Sequence, residues 1–184
     1  TRPVRELSNL TPYEAQSVLR QLLKQRPGLR KEVADIIAKL LPAVDASDVA
    51  ADVRFDLESL DIDDVWDNAG ADRYGYTDPM DAADEQIVAV VEPYLAQMNK
   101  FKALKRPDDA DAYLAGLIIG LNEYENEVDS PVKELAEESA SSCAAVALSD
   151  WRKGVNDEQR VEALRERLLY DCAGWVNPIL LALR

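Results

Sequence analysis

The chain has 184 residues, of which 47% are hydrophobic, with 21 Lys+Arg against 35 Asp+Glu, a net charge of −14 and no histidine. That hydrophobic share suits a packed core and argues against wholesale disorder, and the length fits one helical domain, 1–184, divisible into sub-lobes 1–75 and 76–184. The missing histidine excludes Ser-His-Asp and Cys-His catalysis and His-containing zinc sites, and two cysteines cannot build a structural zinc site alone.

In chain order, Thr11-Pro12-Tyr13-Glu14 reads as a helix start with a capping box, because Thr11 can cap, Pro12 suits the first helical position and Glu14 can reach back. Val18, Leu19, Leu22 and Leu23 form its apolar stripe, and Arg26-Pro27-Gly28 stops it. A second helix runs to about Leu41 with Val33, Ile36, Ile37, Leu40 and Leu41 inward, and the short connection predicts an antiparallel hairpin. Ser47-Asp48 opens a third helix with Val49, Val53, Leu57 and Leu60 inside and Asp48, Asp52, Arg54, Asp56 and Glu58 outside. A short helix follows over Ile62–Ala69, then a loop from Gly70 to Pro79 containing Tyr74 and Tyr76.

From Pro79 to about Lys100 a long amphipathic helix turns Ile87, Val88, Val91, Tyr94, Leu95 and Met98 inward, with Pro93 expected to kink it. Asp108 is the expected cap of the next helix, whose seam is Leu114, Leu117, Leu121 and Tyr124. Ala112, Gly116 and Gly120 form a smooth strip on it, and two mid-helix glycines, each costing about 1 kcal/mol against alanine, imply close approach of another helix. Ser130-Pro131 opens a helix with Leu135, Ser139, Cys143 and Val146 or Ala147 inward. Asn156 or Asp157 caps a last one carrying Val161, Leu164, Leu168, Cys172, Trp175, Ile179 and Leu183. No run alternates with period two for long enough to demand a strand. The expected class is all-α with seven to nine helices, built as stacked antiparallel hairpins in an α-α superhelix-like or orthogonal-bundle arrangement.

No run approaches about 18 apolar residues, so no membrane span is expected. The first residues lack both an initiating Met and an apolar signal core, which suggests a processed or trimmed chain in a cytoplasmic or nuclear, reducing setting. Cys143 and Cys172 lie in apolar helical patterns and read as buried hydrophobes, with a disulfide open if their helices are neighbours. The very apolar segment from Trp175 to Arg184 must dock on the core, lead into a longer protein or be covered by a second copy.

Helical hairpins recur at about 11–41, 79–126 and 131–183, so the layout resembles that of degenerate HEAT or tetratricopeptide proteins, without their residue signature. The segment Leu19-Arg-Gln-Leu-Leu-Lys-Gln-Arg-Pro-Gly-Leu-Arg-Lys-Glu-Val33 resembles hairpins that accompany SWIM-type zinc-finger proteins and those of fungal nuclear factors that tether proteasomes. The resemblance covers about thirty residues and implies a helical scaffold role. The SWIM zinc ligands have no counterpart here, and no functional residue carries over.

Charge is segregated: residues 1–42 sum to +4, 43–99 to −13 and 100–184 to −5. The acidic middle nominates Asp56, Asp63, Asp64, Trp66, Asp67, Tyr74 and Tyr76 as a surface for a basic or amphipathic helical partner. The bland counterpart is a solvated acidic face, with both tyrosines plugging the gap between helical layers as the simpler reading of that loop. Asp61–Asp67 lacks the EF-hand glycine and glutamate, so metal binding there is the poorer reading. Arg20, Lys24, Arg26, Arg30 and Lys31 cluster round the first turn and can meet an anion or another copy of the chain, or simply form a solvated tip. Without aromatic interleaving, and with an acidic remainder, nucleic acid is a poor partner. Glu123, Glu125 and Glu127 sit at a helix end with no sign of burial, so acid/base catalysis there is disfavoured. The expectation is a non-enzymatic interaction or scaffold module without cofactor, partnered by a protein or by itself. The alternatives are a carboxylate metal-binding helical-bundle enzyme and a self-associating structural domain of a larger protein.

Overall fold

A computed structural model describes residues 10–71 and 75–183. Among these there are ten α-helices, one more than the upper bound expected, because the helix foreseen after Ser130 breaks in two and the last helix is interrupted. The helices are α1 (Pro12–Gln25), α2 (Leu29–Leu40), α3 (Ala46–Glu58), α4 (Ile62–Asn68), α5 (Pro79–Ala103), α6 (Pro107–Glu127), α7 (Pro131–Leu135), α8 (Ser139–Lys153), α9 (Glu158–Asp171) and α10 (Val176–Ala182). A 3-10 turn at Ala173–Trp175 precedes α10. Two-residue strands β1 (Gly70–Ala71) and β2 (Tyr76–Thr77) pair antiparallel, with Gly70 opposite Thr77 and Ala71 opposite Tyr76. Gly70 turns out of α4 with φ +103°, a conformation that side chains disfavour. No described helix is long and apolar enough to cross a membrane.

The chain divides into two compact units, 1–43 and 44–184. The first holds α1 and α2. The Thr11 hydroxyl accepts from the Glu14 backbone N–H while the Glu14 carboxylate accepts from the Thr11 N–H, which is the capping box read from the sequence. The expected inward faces of these helices are not buried. Val18, Leu19, Leu22, Ile36 and Leu40 are exposed, Leu23, Val33, Ile37 and Leu41 are half-buried, and no described side chain from Leu10 to Ala43 is buried. Amphipathic spacing alone does not bury a stripe; another surface has to cover it.

The second unit is a bundle built round α6, which packs against α3, α5, α8 and α9. Positions 75 and 76 fall inside it, with α3 and α4 on one side of that point and their partners α5 and α6 on the other. Leu114, Leu117, Ile118, Leu121 and Tyr124 of α6 are fully buried, each aliphatic side chain contributing about 1.5–3 kcal/mol. The glycine strip works as expected against α3. A Cβ at Gly116 would lie 2.5 Å from the Ala46 carbonyl oxygen, and one at Gly120 2.6 Å from that of Ala50. Ala112, by contrast, lines a surface cavity.

Several helix starts shift by a residue or two. Asp45, not Ser47, caps α3 by accepting the Ser47 N–H. Arg106 precedes α6 in place of Asp108 and makes no side-chain cap, whereas Asp109 accepts both the Arg106 Nε–H (2.6 Å) and the Val44 N–H (2.9 Å). Asp157 caps α9. Helix α5 runs unbroken through Pro93, buries Ile87, Val91 and Met98, and leaves Val88 exposed. On α8, Ala144, Ala147, Leu148 and Trp151 face inward, Val146 is exposed and Cys143 half-buried. Both cysteines are free. Trp175, Ile179 and Leu183 dock on the core, where α10 packs on α8 and α9.

Candidate functional site

Helix α4 is seven residues long and is held by one fully buried side chain, Val65. Asp61 caps it, accepting the Asp63 N–H at 3.0 Å. With Val65 turned inward, helical geometry turns Asp63, Asp64, Trp66 and Asp67 outward, and all four are exposed. Trp66 keeps 54% of its surface in solvent and Tyr76, on β2, keeps 70%. The plug reading is therefore overturned for Tyr76; Tyr74 lies outside the described residues. No described Lys or Arg comes within ion-pair distance of Asp63, Asp64 or Asp67.

Asp56 belongs to a different place. It lies on α3 and accepts the Tyr94 hydroxyl at 2.6 Å, across a cleft of about 440 Å³ lined also by Asp52, Pro93, Gln97 and Tyr113. The Tyr94 ring lies 6.2 Å from that of Tyr113, which in turn lies 5.8 Å from Phe101. Burial, then the Asp56 bond, pushes the Tyr94 hydroxyl far above the usual phenol range, and burial, with Asp52, raises that of Tyr113. Both phenols thus stay protonated, Tyr94 donating to the Asp56 carboxylate, which excludes them as bases at neutral pH. The cleft escaped the sequence reading. Its signal was Asp52 and Asp56 four apart on the outer face of α3, opposite a tyrosine directly after a mid-helix proline.

A second acidic concavity, about 580 Å³, was also missed: Met80, Asp81 and Asp84 at the start of α5 face Glu134, Glu137 and Glu138 around the break between α7 and α8. Met80 is exposed. The sequence hid this cleft because its two halves lie about fifty residues apart.

Of the three glutamates at the end of α6, Glu125 is structural. Its Oε1 accepts the Trp175 indole N–H at 2.9 Å and its Oε2 the Ser141 N–H at 3.1 Å, tying α6 to α8 and to the 3-10 turn. Glu127 pairs with Arg54 at 2.9 Å. Burial, then Glu127, raises the pKa of Glu123. Among the described residues no three Cys, Asp or Glu side chains are grouped so as to hold a metal ion.

In the first unit, Arg20, Lys24, Arg26, Arg30 and Lys31 are all exposed on and between α1 and α2, and none has a described carboxylate partner. No protein-family model, curated protein or solved structure matches this chain.

Proposed function

We propose that the protein is a non-enzymatic helical interaction module whose acidic α4 surface receives a basic or amphipathic helical segment of a partner protein. One observation carries this reading. A half-exposed tryptophan, Trp66, stands among three carboxylates that no described cation neutralises, on a helix anchored by Val65. An exposed aromatic ring offers large contact area at low entropic cost, and unpaired carboxylates supply steering and register for a cationic helix. Tyr76 adds a second exposed ring, and Asp56 an acidic side chain in a separate cleft. The scaffold role implied by the Leu19–Val33 resemblance is part of the same proposal.

Trp66 is the exposed member of the three tryptophans, since Trp151 and Trp175 are buried. Titration with an amphipathic Lys/Leu helical peptide should blue-shift the fluorescence, with an affinity that falls as salt rises. Charge reversal of Asp63 and Asp64 to Lys should weaken binding at least about tenfold, and Asp56→Lys should weaken it less. Unchanged binding by the Asp63/Asp64 variant refutes the reading.

Self-association is the second reading, favoured by a first unit of net charge +4 whose helices each carry an apolar stripe, in a chain whose remaining residues sum to −18. The occupant would be the acidic unit of a second copy. Light scattering should then show a dimer or larger species that dissociates at high salt, and a monomer at all concentrations removes this reading.

A further inference from the structure

A cavity of about 390 Å³ lies where the end of α5 meets the α8–α9 connection. Its lining is Lys102, Lys105, Pro107, Gly154, Val155 and Arg160, three cations and no carboxylate, on a chain of net charge −14. The two acids that pull on Lys102, Asp111 and Asp150, are already engaged, while Asp157 and Asp108 act on Arg160 more weakly than Asp111 does. Asp111 accepts Arg160 Nε–H at 2.9 Å and Nη2–H at 2.7 Å together with the Trp151 indole N–H at 2.8 Å, and Asp150 pairs with Lys153 at 2.8 Å. Arg160 is thereby held rigidly, its guanidinium 6.0 Å from the Trp151 ring, and its Nη1 group makes no hydrogen bond within the described structure. Lys102 is half-buried without an ion-pair partner, and burial, with repulsion from Arg160, lowers its pKa against the pull of Asp111 and Asp150.

Lys105 adds an independent observation. It sits just past the C-terminus of α5 with φ +57°, its N–H bonded to the Lys102 carbonyl and the Arg106 N–H to that of Phe101. This is the left-handed position of a helix-ending motif, which glycine normally fills. A lysine there carries a conformational cost, and residues held in such conformations cluster at binding sites.

We propose that this cavity binds a phosphoryl-bearing small anion, with Lys102, Lys105 and Arg160 as its ligands. Asp111 offsets one of the three positive charges, and Asp157 and Asp108 add a weaker pull on Arg160, which leaves a net-cationic pocket suited to the doubly charged phosphate monoester at neutral pH. The two ammonium groups serve as point charges and the guanidinium Nη1 edge as a directional donor. The site lies away from α4, and the inference stands independently of the peptide-binding reading.

The test is calorimetric titration of the full chain with pyrophosphate, inorganic phosphate and citrate at low ionic strength, where screening is weak. Saturable binding of pyrophosphate or phosphate, tighter than that of citrate, is expected. Lys102→Met should weaken it about tenfold, as loss of one charge-assisted hydrogen bond implies. Lys105→Gly should also weaken it about tenfold while raising Tm, since glycine relieves the backbone, so misfolding cannot mimic this result. Lys39→Met, which removes an exposed cation that does not line the cavity, should leave the affinity unchanged. Absence of saturable binding to the wild-type chain up to about 10 mM overturns the proposal, as does equal affinity for citrate, or binding that survives both cavity variants.

Discussion

The indole N–H of Trp151 on α8 donates to Asp111 Oδ1 on α6 at 2.8 Å, beneath a bidentate ion pair from Arg160 on α9. One carboxylate thus joins three helices. Asp111→Ala strands a part-buried guanidinium and a buried indole donor and should cost about 2 kcal/mol. Asp111→Asn, which keeps an acceptor for Trp151, should cost less. Urea unfolding measures both, and equal stability of the alanine variant and the wild type would contradict the account.

Gly120 and Gly116 set the separation of α3 from α6. Gly120→Ala places a methyl group 2.6 Å from the Ala50 carbonyl oxygen and 2.7 Å from Val53 Cβ, both rigid parts of α3. Overpacking of this kind costs about 1–3 kcal/mol and should outweigh the roughly 1 kcal/mol helix-propensity gain. Gly154→Ala, where the nearest atom is 3.6 Å away, should stay within about 0.5 kcal/mol of wild type. Thermal unfolding of the pair checks the contrast.

Glu123 gives a pH dependence opposite to that of most surface acids. Burial, then the neighbouring Glu127, raises its pKa above 4.5, with Arg54 opposing. The folded state therefore binds this proton more tightly than the unfolded chain does, and the ionised carboxyl costs stability at neutral pH. That cost vanishes as the pH falls through the raised value and below 4.5. Glu123→Gln should accordingly be more stable than wild type at pH 7 and indistinguishable from it below about pH 4. A larger advantage in acid than at neutrality would contradict the assignment.

Burial pushes the Cys172 thiol up to about 12 and, with Asp84, also raises that of the half-buried Cys143. The thiolate is the reactive form, so at pH 8 Cys172 should react with an aromatic disulfide reagent roughly a thousandfold more slowly than an ordinary cysteine. Cys143 should react first, and Cys172 only as the chain unfolds. Rapid modification of two thiols in the folded protein would show that this face of the core is open.

Local signals in the chain carried much of the helical layout. The Thr11–Glu14 capping box, the α3 stripe of Val49, Val53 and Leu57, the α6 seam from Leu114 to Tyr124 and the close approach at Gly116 and Gly120 follow from spacing and side-chain chemistry within a few turns, and the structure contains each of them. The absence of histidine limited the chemistry in the same direct way. Tertiary packing decided what spacing leaves open, which is whether an apolar or charged face meets anything. Phe55 stays 68% exposed on the same helix as fully buried Leu57, because α6 packs on only one side of α3. Asp56 departs from Asp63 and Asp64 because α5 brings Tyr94 to it. The basic cavity joins Lys102 to Arg160 across 58 positions of sequence. Periodicity records which face of a helix is apolar or charged, whereas partners for that face are set by long-range contacts that no local pattern encodes.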